Sequence, residues 1–455
     1  MDLEELLRSQ RTFFETGETR RVDFRLCALK KLKKALIQRE QELFAALKAD
    51  LNKSHRESYL TEVGIVRSEI DFALSNLRHW AAPRRVPTPL AQFPAHSQIL
   101  PSPYGCALIL APWNYPLQLA LCPLVSALAA GNTAVVKPGE DAPETARVLS
   151  ELLGEAFPPE YVAVVRGDAE TAEELTRLPF DKIFFTGSPY IGRKVMENAA
   201  GNLVPVTLEL GGKSPCIVEE TADIPLAARR IVFGKILNAG QTCVAPDYVL
   251  VQNGVKETLL EAIREEITEQ LGERPLENED YGRMVNKKHF LRVCELCVGQ
   301  KVFCGGRTDP AKLKIEPTVL TDVDPDSPVM AEEIFGPVLP VLGWEDWEEA
   351  RSILDRNPEP LALYVFTQNR AFRERVLREV AFGGACVNDT VVHLATPHLP
   401  FGGVGSSGMG ACHGKAGFDA FTHEKSVLYR GKTDLSMRYQ PYTKQKERLV
   451  RLFLR

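Results

Sequence analysis

Residues 106–137 read CALILAPWNYPLQLALCPLVSALAAGNTAVVK, and this stretch decides the fold. Its two ends, Cys106–Ala111 and Thr133–Lys137, are almost continuously apolar, as strands buried on both faces are. Pro112 and Pro116 bound a loop after the first strand, because proline interrupts a regular helix. The apolar segment 117–130 then predicts a buried helix. The whole stretch predicts a strand–helix–strand unit with parallel strands.

The same alternation of strands and helices continues along the chain from this unit. Residues 1–80 have the apolar spacing of amphipathic helices, whereas the proline-rich segment 81–103 indicates an extended arm. Together these patterns predict an α/β protein with two doubly wound parallel-sheet lobes, one of them Rossmann-like, and a small arm. The further predicted strands are Tyr161–Val165, Lys182–Phe185, Val206–Leu208, Pro215–Val218, Tyr248–Val251, Ala362–Phe366 and Ala385–Asn388; the further predicted helices are 142–155, 169–177 and 189–200.

Composition excludes several classes of function. The chain has 455 residues, enough for two or three domains, and a net charge of −5 without a lysine- or arginine-rich block. We therefore expect no nucleic-acid partner. The acidic start at Asp2, Glu4 and Glu5 is unlike a secretory signal, so the ten cysteines are expected to be free thiols in a cytoplasmic protein.

Two further segments have patterns that suggest a metal site or a membrane contact. Cys294, Cys297 and Cys304 resemble zinc-ligand spacing, but no histidine or fourth cysteine sits at metal-ligand spacing nearby, so we predict no metal. Within the C-terminal tail (436–455), residues 444–455 mix apolar and charged side chains, and this segment is too short to span a bilayer. Contact with a membrane surface, packing on a partner subunit and fraying remain open for it.

Two glycine-rich segments imitate nucleotide-binding motifs. Residues 403–408 match G-x-G-x-x-G, but Pro400-Phe401 precedes them instead of a strand, so a glycine-rich loop is the better interpretation. Residues 211–214 read GGKS, as in a P-loop, but Thr207 stands where the first glycine is required. Neither segment is predicted to bind phosphate by those motifs.

Three residues have the chemistry and the position of catalytic groups. Cys243 follows a helix in the turn NAGQTC, and Glu209 stands at the end of an apolar strand before two glycines. Asn114 follows another strand, and ligands bind at the carboxyl ends of parallel strands. Each has an ordinary alternative: a buried structural thiol, a glutamate paired with Lys213, and a turn asparagine.

Three weaker segments suggest a cofactor. Lys137 and Glu140 lie in KPGE after a strand, and Glu333 and Phe335 lie in the turn EEIFGP. The segment FFTGS (184–188) joins a strand to a helix through small residues, which allows backbone N–H groups to approach a phosphate.

Taken together, these segments resemble the aldehyde dehydrogenase superfamily over about residues 10–430. The resemblance is greatest to class 3 enzymes, through GQTCVAPDY (240–248) and HGKAGFDAFTHEKSV (413–427). His413 matches a class 3 motif, but we assign it no chemistry. The motifs that carry the resemblance are PWNYP (112–116), KPGE (137–140), FFTGS (184–188), LELGGKSP (208–215), GQTC (240–243), EEIFGP (332–337) and PFGGVGSSGMG (400–410).

The resemblance implies roles for the candidate residues. Cys243 is the nucleophile, Glu209 is the general base for thioester hydrolysis, and Asn114 with the Cys243 backbone N–H forms the oxyanion hole. Lys137 and Glu333 hold ribose hydroxyls of NAD or NADP, Phe335 packs near the nicotinamide ribose, and Glu140 lies near the adenosine ribose. The cofactor-binding turn contains Gly187, Ser188 and Gly192.

The resemblance also implies an organisation and a reaction. The expected cofactor domain is residues 1–80 and 104–209, and the catalytic domain is residues 210–410. Segments 81–103 and 411–435 are expected to bridge the subunits of a homodimer. The expected substrate is an aromatic or medium- to long-chain aliphatic aldehyde, which is oxidised to the carboxylic acid.

Two other functions stay open at this level. A cofactor-independent thiol esterase would need Cys243 but not Lys137, Glu333 or Phe335. A non-catalytic structural member of the family would need neither Cys243 nor Glu209. The presence of all five residues favours the dehydrogenase.

Overall fold

The computed structural model describes residues 2–454. The α/β alternation predicted from the apolar runs is confirmed, with element boundaries that shift by a few residues at most. The helices are α1 (Leu3–Glu15), α2 (Val22–Gln38), α3 (Glu40–Leu51), α4 (His55–Ser58), α5 (Gly64–Trp80), α6 (Gln118–Ala130), α7 (Pro143–Ala156), α8 (Ala169–Arg177), α9 (Pro189–Ala200), α10 (Ile224–Ile236), α11 (Lys256–Leu271), α12 (Lys287–Glu295), α13 (Pro328–Ala331), α14 (Trp347–Leu354), α15 (Arg370–Glu379), α16 (Gly414–Ala420) and α17 (Lys444–Phe453).

Strands alternate with these helices through most of the chain. They are β1 (Arg84–Val86), β2 (Ala95–Pro103), β3 (Cys106–Leu110), β4 (Thr133–Lys137), β5 (Val162–Val164), β6 (Lys182–Gly187), β7 (Val206–Leu210), β8 (Pro215–Val218), β9 (Tyr248–Gln252), β10 (Lys301–Cys304), β11 (Thr308–Asp309), β12 (Lys314–Ile315), β13 (Thr318–Thr321), β14 (Val338–Trp344), β15 (Ala362–Phe366), β16 (Gly384–Val387), β17 (Gly408–Met409) and β18 (Thr422–Arg430).

The first sheet has the order β17-β7-β6-β3-β4-β5. All its strands are parallel except β17, and every residue of β3 and β4 is buried, which explains their continuous apolar sequence. The chain runs outward from β3 through β4 to β5 and then returns to β6 on the other side. This reversal is the topological switch point, where ligands bind in open α/β sheets.

The second sheet has the order β10-β13-β14-β9-β8-β15-β16 and is parallel except for the edge strand β10. Both sheets are therefore mixed at one edge and parallel elsewhere. At the edge of the first sheet, β17 begins at Gly408, the last residue of the glycine-rich segment 403–408 that imitates a Rossmann fingerprint. Its antiparallel pairing with β7 agrees with the interpretation of that segment as a loop.

The proline-rich arm forms a separate antiparallel sheet of β1, β2 and β18. The nine residues of β2 pair in register with the nine residues of β18, so the arm is tied to the chain after α16. Helix α17 in the tail lies near Leu90–Gln92 of the arm. The boundaries proposed for the domains stay a prediction.

Two negative findings apply to the described residues, 2–454. None of their helices has both the length and the apolar character that a membrane crossing requires. In the same range, no three His, Cys, Asp or Glu side chains are gathered as metal ligands would be.

Candidate active site

The carboxyl ends of the strands in the first sheet open onto one cleft. The loop after β3 carries Asn114, β7 carries Glu209, and both Glu209 and Cys243 line the cleft. The cleft measures about 1060 Å³ with its open mouth included. Most of its wall is apolar and includes Leu60, Leu119, Phe233, Leu237, Val392 and Leu394.

Cys243 is carried by a strained loop that follows α10. Asn238 and Ala239 both have positive φ angles, of 50° and 52°, which non-glycine residues rarely adopt. Gly240 follows with φ of 76°, and a Cβ there would stand 2.3 Å from the carbonyl oxygen of Gly336. Such strain clusters at functional sites, where the surrounding structure holds it in place.

The environment of the Cys243 thiol disfavours its thiolate form. Burial, together with the smaller effect of the nearby Glu333 and Glu209 side chains, raises its pKa to about 12. A thiol attacks only as the thiolate. A positive charge beside Cys243 would lower this pKa and favour the thiolate.

Glu209 is buried, and it does not form an ion pair with Lys213. Its side chain is 4% exposed, and no N–H or O–H donor among residues 2–454 bonds to either carboxylate oxygen. Lys213 instead donates to Asp247 at 2.6 Å and to the carbonyl of Val329. Burial raises the pKa of Glu209 well above its ordinary value, and the neighbouring Cys412 thiol offsets this only in part. A water-activating base has this character.

Asn114 lies against the loop that carries Cys243. Its side-chain Nδ2 donates to the carbonyl of Gln241 at 3.1 Å, and its residue is 3% exposed. The next residue, Tyr115, shares a hydrogen bond of 2.5 Å with the hydroxyl of Thr242. The loops after β3 and after α10 are thus joined beside the thiol.

The predicted cofactor residues surround the switch point. Lys137 Nζ pairs with Glu140 Oε2 at 2.7 Å, with the lysine buried and the glutamate half exposed. The hydroxyl of Ser188 accepts a hydrogen bond from the Ile191 backbone N–H at 3.4 Å, which caps the N-terminus of α9. Gly187 packs against the ring of Phe185, and Gly192 packs against the side chain of Leu210.

Glu333 and Phe335 approach from the second half of the chain. A Cβ on Gly211 would stand 2.1 Å from Glu333 Oε2, so this carboxylate packs against the bare backbone of Gly211 beside the end of β7. The ring of Phe335, which has φ of 50°, makes an edge contact with Trp113 at 5.5 Å. The structure thus brings Glu333 near Glu209 and Cys243, while Lys137 and Glu140 form a separate pair at the end of β4.

Residues 1–427 match the profile of the aldehyde dehydrogenase family. The chain belongs to the aldehyde dehydrogenase family. The resemblance carried by its motifs is confirmed, and the protein is an aldehyde dehydrogenase enzyme.

Full-length relatives place this aldehyde dehydrogenase among class 3 enzymes. It is 46% identical to the 4,4'-diaponeurosporen-aldehyde dehydrogenase of Staphylococcus aureus, over 100% of this chain and 99% of that protein. It is 43% identical to aldehyde dehydrogenase family 3 member A2 of Rattus norvegicus, over 99% of this chain and 94% of the relative.

Solved structures share the same fold. The substrate-bound Staphylococcus aureus AldH superposes with a TM-score of 0.98 at 45% identity, and each chain is covered completely. An NAD-dependent aldehyde dehydrogenase from Sinorhizobium meliloti superposes with a TM-score of 0.87 at 29% identity, over 95% of this chain and 88% of that one. An NADP-dependent enzyme from E. coli gives 0.85 at 27% identity, over 93% and 89%. Relatives of this fold thus use either cofactor.

Several residues that hold this site together were missed by sequence analysis. The Gln241 side chain is an anchor of the Cys243 loop: Nε2 donates to the carbonyls of Asn238 and Arg283, and Oε1 accepts from the Val285 N–H. Lys53 and Glu62 are a second case, since they form a buried ion pair that bonds to the carbonyl of Asn114. Polar residues in ordinary helical or turn sequence give no signal of such roles.

Proposed function

We propose that this aldehyde dehydrogenase oxidises extended apolar aldehydes to carboxylic acids with NAD or NADP. The observation that carries the proposal is the apolar cleft that is lined by both Cys243 and Glu209. A predominantly apolar pocket with few polar groups selects an apolar ligand and orients its reactive end. The reacting carbonyl would lie at Cys243, with the hydrocarbon along Leu119, Phe233 and Leu237.

The residues present fit a nicotinamide dinucleotide. Ser188 and the N-terminus of α9 suit a phosphate group, and the absence of a side chain on Gly211 leaves room for Glu333. Lys137 and Glu333 would hold ribose hydroxyls, Phe335 would support the nicotinamide ribose, and Glu140 would face the adenosine ribose. Gly187 and Gly192 allow the close packing of α9 on the sheet.

The chemistry then follows from the side chains of the cleft. The Cys243 thiolate adds to the aldehyde carbon, and the oxyanion accepts hydrogen bonds from the Asn114 amide and the Cys243 N–H. When bound, oxidised nicotinamide supplies the positive charge that lowers the Cys243 pKa and accepts hydride from the tetrahedral carbon. The resulting Cys243 thioester is hydrolysed by water, from which Glu209 takes a proton. The products are the carboxylic acid and the free thiol.

Turnover with aldehydes of increasing length tests the substrate class. We expect kcat/KM to rise from a short aldehyde through hexanal to long saturated and polyene aldehydes, because each buried CH₂ contributes about 0.8 kcal/mol. The near-ultraviolet absorbance of the reduced nicotinamide is the readout. The named relative that acts on a diaponeurosporen-aldehyde motivates the polyene arm of the panel. A preference for the shortest aldehydes would contradict the proposal, and ester cleavage without nicotinamide reduction would indicate a thiol esterase.

Glu140 is proposed to favour NAD over NADP. A carboxylate beside the adenosine ribose accepts a hydrogen bond from the 2′-hydroxyl and repels a 2′-phosphate. Glu140→Gln should therefore shift the ratio of kcat/KM toward NADP by about five- to tenfold, a small effect because this carboxylate is half exposed. Glu144→Gln is the matched control, since Glu144 is equally exposed on α7 and pairs with Arg147 instead. An equal shift in both variants would show that Glu140 does not face the cofactor.

We also propose a cytoplasmic homodimer that associates through the arm. In the described part of the chain β18 has no partner on its outer edge, and Leu428 and Tyr429 are exposed there. An open edge with apolar side chains is suited to pairing with a second chain. A mass in solution of twice the 50.6 kDa chain is expected by light scattering. A monomer at working concentration would leave the tail and arm to another partner, such as a membrane surface.

A further inference from the structure

The N-terminal helices insert a completely buried ion pair next to the active site. Lys53 Nζ lies 2.5 Å from Glu62 Oε1, and both side chains are 0% exposed. The ammonium group also lies 3.9 Å from the centre of the Tyr115 ring, which is a favourable cation–π contact. Burying two charges costs more solvation energy than their attraction usually returns, so stability alone does not account for the pair.

Both Lys53 and Glu62 form hydrogen bonds with the loop that carries Asn114. Lys53 Nζ donates to the Asn114 carbonyl at 2.9 Å. Glu62 Oε2 accepts from the backbone N–H groups of Leu117 and Gln118 at 2.8 and 3.2 Å, at the N-terminus of α6. A carboxylate at this position also complements the positive end of the helix dipole. The pair therefore fixes the loop at its middle and at its end.

The same Asn114 carbonyl joins this loop to the loop of the nucleophile. It accepts a second hydrogen bond from Asn238 Nδ2 at 2.7 Å, while the Asn114 side chain donates to Gln241. The backbone N–H of Asn238 donates in turn to Glu57 Oε1 at 2.7 Å. Lys53 and Glu57 thus bring the N-terminal segment to both catalytic loops.

A local departure from α-helix places Glu62 in this network. Helices α4 and α5 form one continuous helix with a π turn at Tyr59–Val63, and such turns occur mostly at functional sites. The N–H of Gly64 donates to the carbonyl of Tyr59, five residues back. A Cβ on Gly64 would stand 2.6 Å from that same oxygen, so glycine is required there. Leu60 and Ile65, which flank Glu62, line the substrate cleft.

We propose that the Lys53–Glu62 pair is a positioning device that aims the Asn114 amide at the oxyanion formed on the Cys243 adduct. It acts through the Asn114 carbonyl and the start of α6, and it touches neither substrate nor cofactor. The proposal rests on the oxyanion role proposed for Asn114. A donor that is displaced by even a fraction of an ångström loses much of its effect on a developing charge.

The test is a double-mutant cycle between the pair and Asn114. The variant Lys53→Met/Glu62→Gln removes both charges together, keeps similar volumes, and leaves one amide oxygen to accept from Leu117 and Gln118. The readout is the rate of the first turnover, with hexanal and saturating NAD. Cofactor affinity is followed separately by nicotinamide fluorescence. The matched control is Arg25→Met, because buried Arg25 bonds to the carbonyl of Ala129 at the opposite end of α6.

We expect the paired variant to slow the first turnover by about 10- to 100-fold without a change in cofactor affinity, since removal of a whole oxyanion donor costs about 10²–10³. In an Asn114→Ala background the same two substitutions should slow the first turnover by less than about twofold, because the amide that the ion pair positions is absent. Arg25→Met should leave the first turnover nearly unchanged.

Multiplicative losses in the cycle would overturn the positioning role while leaving the Asn114 role intact. An Asn114→Ala protein with an unchanged first turnover would overturn both. If the paired variant does not fold, Gly64→Ala replaces it in the double-mutant cycle with Asn114→Ala, since this substitution displaces the π turn and keeps both charges. The same non-multiplicative result is expected there, and multiplicative losses would again refute the proposal.

Discussion

Cys243→Ala is expected to abolish aldehyde oxidation, with a fall in kcat of at least about 10⁴-fold. The reason is that Cys243 is the least buried of the three thiols that line the cleft. Burial raises the pKa of the other two, Cys122 and Cys412, well above the ordinary value and disfavours their thiolates. Glu209, Asn114 and a bound cofactor would remain in place, but an sp² aldehyde has no tetrahedral carbon to oxidise. Cofactor binding should be unchanged, because the predicted ribose and phosphate contacts come from other residues.

The control for this variant is the removal of a different thiol. Cys386→Ala deletes a similarly sized buried thiol that lies 3.3 Å from His393 Nδ1 and does not line the cleft. Its activity should stay within about twofold of the unmodified protein, because this thiol does not line the cleft and the removal of one small buried group mainly lowers stability. Oxidation by the Cys243→Ala protein at more than a percent of the normal rate, after contaminating enzyme is excluded, would refute the thioester route.

The sheets of this protein could be predicted from sequence because buried parallel strands have a distinctive composition. Strands β3, β4 and β6 are runs of apolar residues between prolines, glycines and helical segments, and each one was located within a residue or two. The two-residue strand β17 could not be located in this way. Its pairing with β7 depends on contacts between residues about two hundred positions apart, which leave no local periodicity.

The candidate catalytic residues were predictable because each stands in a turn or at the end of a strand. Glu209 and Cys243 line one cleft and Asn114 bonds to the loop that carries Cys243, while the roles of all three stay predictions. The partners of Glu209 were harder to predict from the sequence. A neighbouring lysine, Lys213, is the obvious partner in sequence, yet its amine bonds to Asp247 and leaves the glutamate without a countercharge.

The supporting network could not be predicted at all from one sequence. Lys53 and Glu62 lie in a segment of amphipathic helices, where charged residues normally face solvent. Only the packed structure shows that the π turn rotates Glu62 into the interior beside Lys53. Buried charge pairs of this kind have the same sequence pattern as a solvated helix face.

Glu209→Gln separates the two halves of the reaction. The substitution keeps the size of the side chain, and no hydrogen bond from an N–H or O–H donor in residues 2–454 is lost with the carboxylate. We expect one equivalent of reduced nicotinamide per active site to form rapidly, followed by a steady state that is about 10²- to 10⁴-fold slower, because the thioester no longer receives an activated water. Rapid mixing with an aldehyde and NAD measures both phases. Loss of the rapid phase as well would mean that Glu209 also deprotonates Cys243.

The raised pKa of Glu209 adds a dependence on pH to this prediction. Deacylation by the unmodified enzyme should accelerate as pH rises through that pKa, because only the carboxylate accepts a proton, and the glutamine variant should lack this dependence. Stability should change in the opposite sense. A folded-state pKa above the unfolded value means that the buried group favours the folded state when protonated, and this advantage is lost as pH rises. Glu209→Gln should therefore match the unmodified protein in thermal stability at acidic pH and exceed it above the Glu209 pKa. A variant less stable than the unmodified protein at high pH would show that the carboxylate has a stabilising partner.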